Sequence, residues 1–238
     1  MDGFILAAGL GTRMLPLTSA KPKALLPVGG VPLLERCINR LSEAGCKHLV
    51  VNVHHFSAMV KDFIASRRWD VAIDISDESD MLLDTGGALK KAAPLFSDDN
   101  ILVYNVDILS RFSLQAMLQQ HQQTGNDATL AVSRRDTSRQ LLLDDRGRLR
   151  GWHNRDTDET RWVSGPATTC ERAFSGIAIV TPRLIGTLPE ADHPYPIIPE
   201  YLRAAKEQAI GTFEHDAAQW IDVGKPETYK EAEHFVNQ

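Results

Sequence analysis

Residues 6–27 read LAAGLGTRMLPLTSAKPKALLP, and the rest of the chain is interpreted outward from them. A short apolar run, Phe4, Ile5 and Leu6, stops abruptly in small residues. Ala7, Ala8, Gly9 and Gly11 leave a stretch of backbone with almost no side chain above it, so its N–H groups can wrap closely round an anion. Thr12, Arg13, Lys21 and Lys23 then add a hydroxyl and three positive charges. A strand that feeds a bare, donor-rich loop and then cations predicts a polyphosphate site.

Two other glycine-rich phosphate motifs are excluded. Gly9-x-Gly11 begins like a dinucleotide fingerprint, but Met14 stands where the third glycine belongs. Pro16, Pro22 and Pro27 also prevent the regular helix that should follow. A P-loop is absent too, because the one Gly-Lys pair, Gly224-Lys225, runs into Pro226. Alone, Gly9 and Gly11 need make only a tight strand exit. Arg13 and Lys23 behind them favour the phosphate reading.

Beyond this stretch, strand-like and helix-like segments alternate. Pro32 opens a helix with Leu33, Leu34, Cys37, Ile38 and Leu41 on one face, closed by Gly45. Residues 49–53 read as a buried strand, Phe56, Met59, Val60, Phe63 and Ile64 as a helical stripe, and 71–75 as a strand. Residues 88–93 read as a helix and 101–104 as a strand, and Ser113 caps a helix through Gln123. This βαβ rhythm predicts an α/β fold: three α/β/α layers around a mixed, mostly parallel sheet.

The second half is different. Residues 141–143 and 149–152 flank Asp144-Asp145-Arg146-Gly147, a hairpin signal. Residues 153–172 are polar and are expected to form a mobile loop or insertion. Strands at 173–180 and 220–223 and helices at 198–207 and 226–235 complete the chain. With no repeat, low-complexity tract or linker, residues 1–238 are expected to form one domain.

Composition bounds the function. An apolar content of 43% over 238 residues supports a substantial core, and a net charge of −5 argues against a nucleic-acid surface. Cys37, Cys46 and Cys170 form no CxxC pair and are expected as reduced, mostly buried thiols, which points to the cytoplasm. No apolar run approaches a membrane span, and no basic, apolar leader is evident. No membrane partner is expected.

Three further clusters bear on chemistry. Ile101-Leu-Val-Tyr-Asn-Val-Asp107 delivers a carboxylate to the C-terminal end of a strand, the edge where open α/β sheets bind ligands; a turn-forming Asp is the alternative. Trp220-Ile-Asp222-Val-Gly224 carries a second carboxylate, which could equally cap the turn before Pro226. In Leu83-Asp84-Thr85-Gly86-Gly87-Ala88 the two glycines precede a helix and allow tight packing. His54 and His55 are adjacent on a strand exit and so face opposite ways, which argues against joint metal ligation.

Taken together, LAAGLGTRMLPLT followed by PKALLPVGGVPLL resembles the signature of the sugar-1-phosphate nucleotidyltransferases. Ala24 departs from the usual Pro, but Lys23 keeps its place. The resemblance implies the Rossmann-like nucleotide-diphospho-sugar transferase fold. It also implies in-line transfer of a nucleotidyl group from a nucleoside triphosphate to a sugar-1-phosphate, with pyrophosphate leaving. By that resemblance Ala7, Ala8, Gly9, Gly11, Thr12 and Arg13 take the triphosphate, with Arg13 on the departing pyrophosphate. Lys23 takes the α-phosphate, and Asp107 and Asp222 hold Mg²⁺, although Val106 replaces the usual Gly before Asp107. Asp84, Gly86 and Gly87 correspond to the stretch under the nucleobase, with Glu78 as a weaker ribose or base contact. Gly176 corresponds to the small residue beside the sugar, and Asn105 and Asn154 are candidates for its hydroxyls. Many relatives carry Glu-Lys-Pro near Trp152, whose Lys holds the sugar phosphate; here His153-Asn154-Arg155 stands instead, with Arg155 a candidate replacement.

Within that family the compact chain resembles the short N-acetylmuramate-1-phosphate uridylyltransferases, with mannose-1-phosphate guanylyltransferases next. Arg155, Arg161 and Arg172 in the polar stretch are candidates for reading a substrate carboxylate, or are simply solvated. A nucleotide-sensing domain without chemistry is the alternative of a different class, disfavoured by retention of Arg13, Lys23 and both Asp residues. A monomer or small homo-oligomer is expected.

Overall fold

The computed structural model describes residues 1–237. The chain starts with β1 (Asp2–Leu6), whose side chains alternate between two cores: Phe4 packs into one and Ile5 into the other, and both are fully buried. A two-stranded ribbon, β2 (Pro27–Val28) with β3 (Val31–Pro32), leads into α1 (Leu33–Glu43), and then come β4 (His48–Val53), α2 (Ser57–Ala65) and β5 (Ala72–Asp77). Helix α1 buries the five predicted side chains, and Gly45 at φ 96° turns the chain out of it. Helix α2 buries only Val60 fully, with Phe63 and Ile64 packed partly against the core and Met59 exposed.

Next come α3 (Asp84–Ala92), β6 (Ile101–Asn105), β7 (Ile108–Ser110) and α4 (Leu114–Thr124). The Ser113 hydroxyl accepts the Ala116 amide at 3.0 Å, which is the predicted cap. Strands β8 (Ala128–Ser133), β9 (Arg139–Leu143), β10 (Leu149–Asn154), β11 (Glu159–Trp162) and β12 (Cys170–Val180) follow, then α5 (Pro182–Gly186), α6 (Ile197–Ala204), β13 (Ile210–Glu214), β14 (Trp220–Asp222) and α7 (Pro226–Asn237).

The sheet runs β11-β10-β9-β12-β6-β1-β4-β5, with β8 joined to β12 and β13. Strands β6, β1, β4 and β5 are parallel, as is the β8–β13 pair, while β12 enters antiparallel to β6, β8 and β9. Helices α1, α2, α4 and α7 bury side chains on the face that receives Ile5; α3, α5 and α6 cover the face that receives Phe4. The three-layer α/β/α architecture with a mixed central sheet is thus observed.

Several expectations need correction. Residues 153–172 are not a loop: they complete β10, form β11 as its antiparallel partner and begin β12. Strand β11 is an edge, and its exposed Glu159, Thr160 and Arg161 hid it, since edge strands carry charge that the alternation rule discounts. Strands β8 and β13 were not anticipated. Helix α3 starts four residues early, which puts Gly86 and Gly87 inside its first turns. Cys37 and Cys46 are buried, but Cys170 is exposed. Among the described residues no helix is long and apolar enough to cross a membrane.

Candidate active site

The parallel strands β1, β4 and β6 end together, and a cleft of about 430 Å³ opens at that edge. Leu6, Ala8, Lys23, Asp84, Asn105 and Asp107 line it. The glycine loop is pinned from beneath. Asn52, 2% exposed near the end of β4, accepts the Ala7 amide at 2.6 Å and the Ala8 amide at 3.2 Å through Oδ1. Its Nδ2 donates to Glu78 Oε1 at 2.7 Å, and Glu78 Oε2 accepts the Leu83 amide at 3.1 Å. Glu78 is wholly enclosed; burial raises its pKa, against the hydrogen bonds that favour its ionised form. Its carbonyl accepts from His54 Nδ1 at 2.6 Å, so His54 is a loop anchor rather than half of a metal pair.

This network places the first donors. The amides of Ala7 and Ala8 are spent on Asn52, so Ala8 gives the cleft a bare wall and not a hydrogen bond, and Ala7 packs in the core beneath. The backbone from Gly9 to Arg13 turns outward above them. Gly11 sits at φ 66°, where L side chains are strained, and its carbonyl is held by the Met14 amide at 2.9 Å and the Thr18 hydroxyl at 2.8 Å. Fully buried Met14 anchors the loop from behind, while Thr12 and Arg13 face outward.

The carboxylates meet through backbone pairing. Strand β14 runs antiparallel to β7, with Asp222 opposite Ile108, and the Val223 amide donates to the Asp107 carbonyl at 2.9 Å. Gly224 closes the corner. A Cβ built there would lie 2.8 Å from Asp222 Oδ1, 3.0 Å from Arg13 Nη2 and 3.1 Å from Asp107 Oδ2. Arg13 and both acids therefore converge on one bare backbone position. Lys23 Nζ forms a part-buried ion pair with Asp107 Oδ2. Asp222 Oδ1 also accepts the Gly224 amide at 2.7 Å, so the turn-capping role and a place in the acid pair coexist. Burial raises the Asp222 pKa, and the Asp107 charge adds to the rise. Mg²⁺ takes one or two carboxylates and completes its shell with water and phosphate oxygens, so two half-buried acids that converge beside the cleft suit it.

The remaining sequence candidates separate. Asp84, at φ 58°, and Thr85 reach the cleft, and Asn105 lines it at the end of β6. Gly86 and Gly87 do not. They pack under Tyr195, where a Cβ on Gly86 would come within 2.5 Å of the ring, and the Gly86 amide donates to the Tyr195 carbonyl at 2.9 Å. Their smallness fits the tight-packing reading. Gly176, at φ 70° in the bulge of β12, touches Asn105: a Cβ there would sit 2.8 Å from its Nδ2, so the space it leaves is filled by Asn105. Asn154 ends β10 with Oδ1 accepting the Asp156 amide at 3.1 Å, outside the cleft lining. Arg155 is held by Glu171 and Asp136, Arg161 by Glu159 and Arg172 by Glu214. Asn52 was missed by the sequence reading, and Gly224 was read within the motif at 220–224 with no role of its own. A lone amide in the apolar run of β4 was the one signal for Asn52.

Residues 2–141 match the family model described as Nucleotidyl transferase, which is more than half of the chain. The chain belongs to the nucleotidyl transferase family. A Caulobacter vibrioides protein named N-acetylmuramate alpha-1-phosphate uridylyltransferase is 30% identical, with 96% of this chain and 94% of that protein aligned. A Pichia angusta mannose-1-phosphate guanyltransferase is 28% identical over 96% of this chain and 62% of its own length. Among solved structures, HddC of Yersinia pseudotuberculosis superposes with a TM-score of 0.78 at 21% identity, covering 98% of each chain, and supports the family fold. As a member of this family the chain is a sugar-1-phosphate nucleotidyltransferase.

Proposed function

We propose that this nucleotidyltransferase uses Mg²⁺ to transfer the uridylyl group of UTP to N-acetylmuramate-1-phosphate, as one cytoplasmic catalytic domain serving cell-wall recycling. The convergence of Arg13, Lys23, Asp107 and Asp222 at one corner carries the chemistry. The near full-length similarity to the Caulobacter vibrioides protein supports the choice of substrates.

The reaction joins two polyanions. A sugar-phosphate oxygen attacks the α-phosphorus, the bond to the β-phosphate oxygen breaks in line, and pyrophosphate departs. The attacking oxygen is already anionic, so no general base is required, and catalysis consists of positioning and charge neutralisation. Loop amides from Gly9 to Arg13 receive the triphosphate, the Arg13 guanidinium follows the departing pyrophosphate, and Lys23 neutralises the α-phosphate. Asp107 and Asp222 would hold Mg²⁺, which when bound offsets phosphate charge. Asp84 and Thr85 border the nucleoside, and Asn105 offers its amide to the sugar.

A panel of nucleoside triphosphates against sugar-1-phosphates, followed by pyrophosphate release, tests this reading. UTP with N-acetylmuramate-1-phosphate should give the highest kcat/KM, and EDTA should abolish turnover. Preference for GTP with mannose-1-phosphate would transfer the assignment to the guanylyltransferases and leave the catalytic residues unchanged.

A further inference from the structure

A reaction between two phosphate-bearing substrates needs cationic groups on both sides of the bond being made. Arg13 and Lys23 stand with the glycine loop. On the opposite side, Arg155, Arg161 and Arg172 are each paired with carboxylates, as is Arg134, which bonds Glu214 at 3.1 Å. Arg135 differs. Among the described residues it forms no ion pair, and its Nε is buried without a hydrogen-bond partner.

Its position is fixed from three directions. The guanidinium carbon lies 3.5 Å from the centroid of the Trp220 ring. Nη2 donates to the Phe174 carbonyl at 2.8 Å and lies 3.5 Å from Ser175 Oγ. Trp220 Nε1 donates to the Ser175 carbonyl at 2.8 Å, so the ring that carries Arg135 is itself tied to β12. Trp220 and Asp222 are two apart on β14 and therefore project to the same side of that strand. Gly176, next in chain to Ser175, packs on Asn105 in the cleft lining. Arg135 thus stands where β12 and β14 approach the cleft, on the Asp222 side of the corner.

Burial lowers the Arg135 pKa to about 10, with the Asp222 charge opposing the shift, so the group remains a cation at neutral pH. A partly desolvated guanidinium suits a phosphate, because its planar fork matches phosphate oxygens and its orientation is already set by stacking on Trp220.

We propose that Arg135 receives the phosphate of the sugar-1-phosphate acceptor. The inference rests on the transferase reading above and adds the acceptor-side cation to it. Arg155, the sequence candidate for this work, is committed to Glu171 and Asp136 on the outer hairpin.

The test combines steady-state kinetics with calorimetry on the full chain. Arg135→Ala should raise KM for N-acetylmuramate-1-phosphate roughly 10- to 100-fold, the scale of a lost charge-assisted contact, and leave KM for UTP within about twofold. Arg135→Lys should recover part of the loss, since it restores charge without the fork. An unchanged acceptor KM, or an equal rise in both KM values with a lowered Tm in both variants, would make Arg135 a strut between β12 and β14 and overturn the proposal. Calorimetric titration with inorganic phosphate separates the two readings. If no substrate pair is turned over, yet phosphate binds the wild-type chain and not Arg135→Ala, the transferase reading fails and the anion site stands. If no phosphate binding depends on Arg135 while turnover is normal, the site fails and the transferase reading stands.

Discussion

Replacing Asn52 with Leu removes the clamp beneath the glycine loop. Three polar groups lose their partner: the Ala7 amide, the Ala8 amide and Glu78 Oε1. A buried polar group left unpaired costs about 1–3 kcal/mol. Ala8 borders the cleft and can turn to water, so two groups carry the full penalty. The expected loss is roughly 2–6 kcal/mol, a large share of the ~5–15 kcal/mol that stabilises a domain of ordinary size. Urea unfolding followed by tryptophan fluorescence should show a lower midpoint with an unchanged slope. KM for the triphosphate should rise about tenfold as the loop amides lose alignment. In a Glu78→Leu background the same change should cost less, because the carboxylate it would have stranded is gone. A stability change below about 1 kcal/mol with an unaltered triphosphate KM would refute the claim that this network sets the loop.

Other outcomes follow from neighbouring geometry. Lys23→Ala should lower kcat roughly 10²–10³-fold with little change in Tm; near-normal turnover would remove Lys23 from the phosphate path. Asp107→Asn and Asp222→Asn should each eliminate most activity, and the double variant should be scarcely worse than either, so additive losses would separate the two acids. Gly86→Ala should destabilise by about 1–3 kcal/mol through overpacking on Tyr195, and a rise in the unfolding midpoint would show that α3 tolerates the methyl. Because burial raises the folded-state pKa of Glu78, the native chain holds that proton more tightly than the unfolded one. The contribution of Glu78 to stability should therefore fall as pH climbs from the unfolded value of about 4.3 through the raised folded value. Glu78→Gln should flatten that part of a stability-versus-pH curve, and identical slopes in both proteins would contradict it.

The parts of the site that act through local chemistry were legible in the sequence. Small residues before Arg13 and Lys23 announced the loop, and Asp107 at the end of an apolar strand announced its position at the sheet edge. What remained hidden depends on distant partners. Gly86 and Gly87 read as lying before a helix and yet sit inside α3, where Tyr195 packs on them and accepts their amides. Strand β8 is buried along its whole length, so its residues show no alternation to read, and β13 pairs with it only through a long connection. Arg135 lies in a polar stretch like other surface arginines; only the fold places Trp220 beneath it.

The antiparallel pairing of β14 with β7 also has a consequence for the order of assembly. During synthesis the glycine loop and the first four parallel strands leave the ribosome long before Asp222 does. The nascent chain therefore completes its glycine loop early and receives the second acid of the Gly224 corner near the end. A polypeptide cut between β13 and β14 would keep Arg13, Lys23 and Asp107 but lack Asp222 and Trp220. On the reading proposed above such a fragment would lack the second carboxylate, and loss of the buried Val223 and Ala232 would weaken the core that receives Ile5, so truncation at this end should abolish turnover.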